Sequence, residues 1–586
     1  MPEGYVGGKP DVNWWLSQIK RGEDFRKKSS YERHWPSWRS YYRGDWSGDV
    51  MPVNLFFLIM RTLIPRVYFR NPSVSITPDK PGYDTAAFAL VLERVTNKLI
   101  RQMGLKKEMK RVIQNTFLFG TGFLKVGFGG FMLPTPSLTD RDQSLGPRGT
   151  RLEYRDNVVA GRPWAARVAT NAVVYPEGTV DIENSRWVAE WVVRPLEDLQ
   201  EDKRFKNTKD LTSSAFVDKN QFGTTMSADS MRSIRQVGVY EIRDKKTGKV
   251  FVLAPDRSNH NGVELFSGDD ELQFNGFPYF DLIFNEDDER CWGLPDSRIL
   301  EPYQREINEI RTQLMKHRRI SLVKILAQNG RLTPNEALKL VSEDVSPVVW
   351  VNGEPSTSVM WTSGNNIPTD LQMAMEGIMN DVRETVGFSR NQMGEFQPAS
   401  SRTSATEANI VRQASEIRVD ERRDMTADLL THVIELVHSI IFRFWKTEEV
   451  VELVGPGGAP VWVRFSGELL KTGKYNIKID PDSSVPETRG TREVRAKELY
   501  EMLKTNPLID PIKLTQYLLH ELHGTAFDDM MRGMEIPENM PNGPIQAPQF
   551  ADLLSTSVRQ MQAPGKRNEI ADRFARAAQG GQAANV

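Results

Sequence analysis

The sequence DSRILEPYQREINEIRTQLMKHRR occupies residues 296–319 and carries an apolar residue at every third or fourth position. This spacing places apolar side chains on one helical face, which consists of Ile299, Tyr303, Ile307, Ile310 and Leu314. Charged residues occupy other positions: Arg298, Glu301, Arg305, Glu306, Glu309 and Arg311. The stretch predicts an amphipathic helix about 36 Å long. It ends in the basic residues Lys316, His317, Arg318 and Arg319.

A second amphipathic stretch spans residues 368–386, and its apolar face consists of Leu371, Met375, Ile378 and Val382. Between the two stretches lies a compact insert, residues 321–365. The insert predicts a strand at Ser321–Leu326, a helix at Asn335–Leu340 and a second strand at Ser346–Val351. The pattern therefore indicates a small α/β domain flanked by two helices that can run antiparallel.

The segments after the second helix alternate between polar and regular patterns. Residues 388–403 are polar, and Gly394 and Pro398 disfavour regular structure there. Ser404 and Glu407 form a capping box that opens a helix running to about Trp445, long enough to suggest a kink or a spine role. Further predictions are strands at Glu449–Val454, Val461–Ser466 and Tyr475–Asp480, helices within 487–533, and a poorly ordered tail beyond Pro537.

The segments before the first helix mix both element types. Residues 13–46 are rich in aromatic and basic side chains, a mixture that can stack on single-stranded nucleic acid but more simply packs a helix against its own domain or a neighbouring subunit. Residues 84–119 predict two helices separated at Gly104, followed by a strand after Phe119. Strands are also predicted at 186–194 and in a hairpin of 236–243 with 249–253 through Gly248. The whole pattern is typical of an α+β protein.

Charge and composition bound the possible functions. The 586 residues carry 76 basic and 77 acidic side chains, a formal net charge of -1. A near-neutral chain is not built to hold DNA tightly, since tight binding requires clustered Lys and Arg. Cys291 is the single cysteine, so no disulfide forms within the chain, as suits a reducing cytoplasm. We expect no signal peptide, and Asn54–Phe69 reads as a buried amphipathic helix rather than an interfacial membrane helix.

Motifs of catalysis or cofactor binding are weak. There is no phosphate-binding loop, and His520-Glu-Leu-His523 departs from the His-Glu-x-x-His zinc pattern. The acidic run Glu286–Glu289 could bind Mg²⁺, but such a run is more often a solvated loop. We therefore predict no catalytic residue, no cofactor and no metal site.

Four stretches carry a resemblance to a known family. Asn54–Pro72, Asn115–Val126, Gly293–Arg311 and Ser400–Ala414 resemble, in this order, segments of the portal proteins of tailed bacteriophages. That resemblance implies a homo-oligomeric ring of about twelve subunits at one capsid vertex. Double-stranded DNA would pass through it during packaging and ejection. It also implies a virion protein, assembled in the host bacterial cytoplasm, that contacts the major capsid and scaffold proteins, the terminase large subunit and head-to-tail adaptor proteins, and no membrane.

The resemblance also implies an order of subdomains. It assigns an N-terminal wing to 1–293, a first stem helix to 294–320, a clip to 321–365, a second stem helix to 366–387, a tunnel loop to 388–403, a long wing helix to 404–447, wing strands to 448–486, a crown to 487–536 and a C-terminal tail to 537–586.

Basic and polar residues near the expected channel are candidates for approach to DNA. They are Arg390, Asn391, Gln392 and Arg402 in the loop, Lys316, Arg318 and Arg319 at the end of the first helix, and Arg331 in the insert. Each arginine or lysine could equally form a salt bridge between subunits. Two other functions stay open: another head-to-tail structural adaptor, or a metal-dependent nucleic-acid enzyme.

Overall fold

The computed structural model describes the chain in separate stretches. They are residues 5–6, 9–79, 83–128, 163–209, 211, 236–255, 262–272, 276–321, 324–327, 330–341, 348–355, 359–362, 369–386, 405–444, 449–454, 460–465, 475–479, 489–504, 514, 518 and 545–546. The predicted loop at 388–403 lies outside them, as do almost all of the tail and most of the predicted helical region beyond 504.

Helices and strands alternate through these stretches. The α-helices described are α1 (Val12–Ser29), α2 (Trp35–Arg43), α3 (Leu55–Val67), α4 (Tyr83–Gln102), α5 (Leu105–Phe119), α6 (Leu196–Glu201), α7 (Asp296–Ile320), α8 (Pro334–Val341), α9 (Thr369–Val386), α10 (Ala405–Phe444) and α11 (Arg489–Leu503). The strands described are β1 (Tyr5–Val6), β2 (Lys9–Pro10), β3 (Val74–Pro78), β4 (Thr121–Phe128), β5 (Pro163–Val168), β6 (Val173–Val174), β7 (Trp187–Pro195), β8 (Gln236–Asp244), β9 (Lys249–Ala254), β10 (Val263–Asp269), β11 (Tyr279–Ile283), β12 (Lys324–Ala327), β13 (Val359–Thr362), β14 (Glu449–Val454), β15 (Pro460–Phe465), β16 (Tyr475–Ile479) and β17 (Ile545–Gln546). The mixture of helix and sheet agrees with the predicted α+β class.

Contacts between residues divide the chain into two units. The first comprises Met1–Arg33, Thr62–Pro295 and Glu416–Val586, and the second comprises His34–Arg61 and Asp296–Ser415. The second unit therefore contains both amphipathic helices predicted at the centre of the sequence, α7 and α9, together with the insert between them.

An antiparallel five-stranded sheet, in the order β10-β9-β8-β7-β6, forms much of the first unit. The predicted hairpin is present as β8 and β9, and Gly248 has a φ of 63° in its turn, a conformation that favours glycine. Helix α1 packs on this sheet, where Trp15 and Ile19 share a buried cluster with Trp187. Trp15, one of the aromatic residues in the range 13–46, therefore lies in the core of this unit.

A three-stranded sheet, β11-β4-β5, follows directly from helix α5. The helix ends at Phe119 and β4 begins at Thr121, with Gly120 at φ 89° and ψ -33° between them. A Cβ atom at Gly120 would collide with the carbonyl oxygen of Gly293. The helix-to-strand step therefore depends on a residue without a side chain.

Buried charges join the three-stranded sheet to the five-stranded sheet in the first unit. The Lys125 ammonium on β4 donates to Glu190 Oε2 on β7 at 2.7 Å and to Glu241 Oε2 on β8 at 2.8 Å. Arg243 donates to the other oxygen of Glu241, Oε1, at 2.8 Å and also bonds Asp270. Burial raises the pKa of Glu241, but the charges of Lys125 and Arg243 outweigh it and hold that pKa at about 2.

Helix α10 contributes a long apolar segment to the first unit. Val419–Phe444 is long and apolar enough to cross a membrane by length and composition, but 56% of that window is buried, as in the core helix of a folded protein. His438 on this segment is buried, and its Nε2 lies 2.8 Å from Thr96 Oγ1. That hydroxyl donates its hydrogen to the Leu92 carbonyl oxygen at 2.7 Å, so it accepts from a neutral His438 protonated on Nε2.

Replacing His438 by glutamine is expected to reduce the loss of stability in acid. Burial lowers the pKa of His438 from 6.5 to about 3, so protons favour the unfolded chain as pH falls through 6.5. The unsubstituted protein should lose about 2 kcal/mol of unfolding free energy through this group between pH 7.5 and pH 5. Glutamine keeps an N–H for Thr96 but does not titrate. Urea titrations of both proteins at pH 7.5 and pH 5 measure their free energies of unfolding. A difference between the two proteins that is the same at both pH values would contradict this account.

Candidate functional site

Helix α7 of the second unit is held by a row of polar side chains. The Gln304 amide accepts a hydrogen bond from the Leu55 amide at 2.8 Å and donates one to the Val53 carbonyl at 2.7 Å. Asn308 Oδ1 accepts from the Val53 amide at 3.0 Å, and Thr312 Oγ1 from the Met51 amide at 3.1 Å. Residues 51–55 lead into helix α3. The side chains of α7 thus form regularly spaced hydrogen bonds with backbone groups that a neighbouring strand would otherwise satisfy.

The same row continues to Glu301, which is 3% exposed. Its Oε2 accepts a hydrogen bond from the indole N–H of Trp38 at 2.9 Å, and its Oε1 pairs with Arg305. Glu301 lies off the apolar face of α7, where the spacing places it, but it is buried against a second, polar packing face. Glu301, Gln304, Asn308 and Thr312 recur at spacings of three and four, and that periodicity of polar residues was the signal for a second packing face.

The apolar face of α7 is only partly enclosed. Ile307 and Ile310 are buried, whereas Ile299, Tyr303 and Leu314 are half-buried. On α9, Ile378 and Val382 are buried, and Leu371 and Met375 are half-buried. The Tyr303 and Thr385 hydroxyls lie 3.3 Å apart. This contact joins the second turn of α7 to the last turn of α9, as in an antiparallel helix pair.

The insert between the helices is a two-stranded sheet with one helix. Strands β12 and β13 pair antiparallel, from Lys324 with Thr362 to Ala327 with Val359. The second strand had been predicted at Ser346–Val351, and that prediction is wrong: the structure has no strand within the described residues 348–351. The Trp350 amide bonds the Glu336 carboxylate of α8 at 3.0 Å instead, so this apolar run is fixed to a helix rather than a sheet.

Large apolar side chains lie exposed on the insert. Their exposed fractions range from 54% to 74% for Leu326, Leu338, Val348, Trp350 and Met360. Monomeric proteins rarely expose many large apolar side chains in one small domain, and such surfaces mark interaction sites. The insert therefore presents a surface suited to another protein chain.

The basic candidates for DNA approach have different surroundings. Lys316, Arg318 and Arg319 are exposed, and the Arg319 guanidinium lies 3.2 Å from the Asp49 carboxylate. Arg331 is half-buried and donates to the Asn352 carbonyl oxygen at 3.2 Å. Arg390, Asn391, Gln392 and Arg402 lie outside the described residues, so the structure places only the other four candidates.

An open cleft of about 690 Å³ lies beside α7 in the second unit. Its walls include Tyr41 and Trp46, whose rings stack with centroids 5.1 Å apart, together with Arg305, Gln313 and Lys316 of α7. Among the residues that the structure describes, no group of three or more His, Cys, Asp or Glu side chains could hold a metal ion. In the described residues, the second unit therefore has three features suited to contact with other molecules. They are the helix pair, the exposed insert and the open cleft beside α7.

A family model described as the phage P22-like portal protein matches residues 153–536, more than half of the chain. No curated protein matches the chain. The matched range includes α7, the insert and α9, and it agrees with the resemblance drawn from Gly293–Arg311 and Ser400–Ala414.

Proposed function

Because the chain belongs to the phage P22-like portal protein family, we propose that it forms a homo-oligomeric ring at one vertex of a tailed-phage capsid. In this role the chain is structural and catalyses no reaction. The ring surrounds a channel for double-stranded DNA during packaging and ejection. Its outer parts dock the terminase large subunit during packaging and head-to-tail adaptors afterwards.

The observation that carries this proposal is the antiparallel pair of α7 and α9 with its apolar insert. A ring requires each subunit to offer two different complementary surfaces. Exposed Trp350, Val348 and Leu338 on the insert supply apolar surface that a neighbouring subunit or a docked protein would cover. In the portal assignment, α7 and α9 are the stem helices and the insert is the clip.

The channel is proposed to guide DNA rather than to grip it. The duplex carries about one charge per 1.7 Å of axis, so a strongly basic wall would hold it in place. The chain as a whole has a net charge of -1. We place the closest approach to DNA at residues 388–403, with Arg390 and Arg402 as the basic contacts.

Electron microscopy of the purified protein tests the ring directly. We expect closed rings of about twelve subunits with an axial hole. The same sample should sediment as a large species whose proportion increases with protein concentration. Monomers or dimers at every concentration and ionic strength, with or without the other capsid proteins, would contradict the proposal.

Deleting residues 390–402 is expected to leave ring formation intact and to impair packaging or retention of DNA. The reason is that the deletion removes the proposed basic contacts with DNA but none of the contacts described for α7, α9 and the insert. Microscopy measures ring formation, and protection of packaged DNA from nuclease measures retention. Loss of the ring itself would show that this segment has an assembly role instead.

A further inference from the structure

One face of helix α9 is acidic and exposed. Asp370, Met373, Asp381 and Glu384 are exposed, and at 3.6 residues per turn they fall within about 80° of one another. Met373 is 70% exposed. No hydrogen bond or ion pair joins the carboxylates of Asp370 and Asp381 to any residue in the described part of the chain. The centre of this face lies about 100–140° around the helix from the buried residues Ile378 and Val382.

Gly377 lies in the middle of the same face. A Cβ atom at this position would meet no other atom within 4 Å, and the residue does not have a positive φ. Glycine within a helix is less favourable than alanine, and nothing described in this subunit requires it here. The absence of a side chain does, however, allow a second helix to approach the backbone of α9 closely.

One face of helix α7 carries a net opposite charge, with three basic residues and one acidic residue. Arg298, Arg305 and Lys316 are exposed and lie within about 20° of one another around the helix, and exposed Glu309, which accepts a hydrogen bond from Gln313, lies about 20° further round. Arg305 pairs with Glu301 but remains 65% exposed, so its guanidinium can bind a second carboxylate. Lys316 has no hydrogen bond or ion pair among the described residues. Arg305 and Lys316 also line the open cleft beside Tyr41 and Trp46.

The contact between Tyr303 and Thr385 fixes which residues of the antiparallel helices share a level. Arg305 follows Tyr303 by two residues, so in an antiparallel pair it is level with about residue 383 of α9. Lys316 follows Tyr303 by 13 residues and is level with about residue 372 of α9. Rotation about a ring axis that runs roughly along the helices preserves these levels from one subunit to the next. Arg305 would then face Asp381 and Glu384 of a neighbour, and Lys316 would face Asp370 and Met373.

We propose that the basic face of α7 on one subunit binds the acidic face of α9 on the next subunit around the ring. The proposal rests on the proposed portal function and names the surfaces that close the ring. Because the two faces differ, the contact is head-to-tail, as a closed ring requires. Met373 and the surface at Gly377 lie at its centre, and the charges flank them. Lys316 therefore serves subunit contact rather than DNA.

A charge exchange tests this pairing. Lys316→Glu alone and Asp370→Lys alone should each reduce the fraction of protein in rings about tenfold at low salt, because each places like charges together. The double variant, with both substitutions, should restore ring formation to near the unsubstituted level. Mass photometry at matched concentrations measures the ring fraction, and thermal unfolding of each variant shows whether the subunit itself is folded.

Gly377→Leu provides a second test that does not depend on charge. A Cβ atom at this position meets no other atom within 4 Å in the isolated subunit, so helix content and unfolding temperature should not fall, while ring formation should be lost. Gln372→Leu is the matched control, because Gln372 is exposed on α9 but lies about 140° around the helix from Gly377. This control should form rings normally.

The outcomes separate the two proposals. Rings formed equally well by Lys316→Glu, Asp370→Lys and Gly377→Leu would overturn the α7–α9 interface and leave the portal ring standing. Intact rings of Lys316→Glu that fail to package DNA would also overturn it, and would place Lys316 at the channel. Absence of rings from the unsubstituted protein would overturn both proposals.

Discussion

Replacing Glu241 by glutamine is expected to lower the free energy of unfolding by about 3–5 kcal/mol at neutral pH. Glu241 is 1% exposed and accepts from Lys125 through one oxygen and from Arg243 through the other. Glutamine preserves the shape but removes the negative charge, so two buried cations remain with too little compensation. Its amide nitrogen would also point a donor at a donor. Both effects destabilise the junction between the three-stranded and five-stranded sheets of the first unit.

Asp269→Asn is the matched control for this substitution. Asp269 is exposed at the end of β10, so neutralising it should change stability by no more than about 0.5 kcal/mol. Chemical denaturation of both variants measures the difference. An equal response of the two variants would show that the buried cluster contributes little.

The same cluster predicts how stability responds to acid. The pKa of Glu241 is lowered from 4.5 to about 2 in the folded protein. Its contribution is therefore complete above pH 4.5 and is lost as pH falls from there toward 2. The Glu241→Gln variant should lack this component, so its stability should approach that of the unsubstituted protein as the solution becomes strongly acidic.

Replacing Gly120 by alanine is expected to cost about 2–5 kcal/mol of unfolding free energy. Part of the loss is backbone strain of about 1–2 kcal/mol at a positive φ. The rest is overpacking of about 1–3 kcal/mol, because the new methyl group would meet the Gly293 carbonyl and the Pro295 ring. The helix-to-strand step would have to shift to make room.

Gly104→Ala separates these two causes. Gly104 also has a positive φ, 65°, between α4 and α5, but an added Cβ there meets no atom within 4 Å. Its alanine variant should therefore show the strain without the collision, a loss of about 1–2 kcal/mol. Thermal or urea unfolding of both variants measures the excess at Gly120, and equal losses would contradict the proposed collision.

Periodic apolar spacing made the long helices predictable. Helices α7 and α9 and the hairpin of β8 with β9 lie within a few residues of their predicted positions, because each pattern repeats locally along the chain. The apolar residues Val348–Val351 were wrongly predicted to form a strand. Their composition is typical of strands, but composition does not show whether a partner strand is available for pairing. The pairing of β3 with β16 joins segments about 400 residues apart, and no local pattern announces it.

The functional surfaces were harder to predict than the helices. Gln304 and Asn308 are buried against backbone groups of residues 51–55, and Glu301 is buried against the indole of Trp38. The sequence alone does not give the proximity of either partner. The basic residues at the end of α7 were assigned to DNA or to salt bridges by charge alone. The contact of Tyr303 with Thr385 shows which residues of α7 and α9 lie at the same height along the helix pair. The sequence alone does not show which acidic residues lie level with Arg305 and Lys316.

The hydrogen bonds between Gln304 and the segment at 51–55 also set an order of events during synthesis. Leu55 and Gln304 are 249 residues apart. At about 5–20 residues per second on the ribosome, roughly 12–50 s pass before the partner of Leu55 has been made. Residues of the second unit that precede this point wait as an incomplete fold, and α9 emerges later still. A nascent chain therefore cannot display both proposed surfaces of the α7–α9 contact before residue 386 has been made, so recruitment into an assembly through that contact is deferred until then.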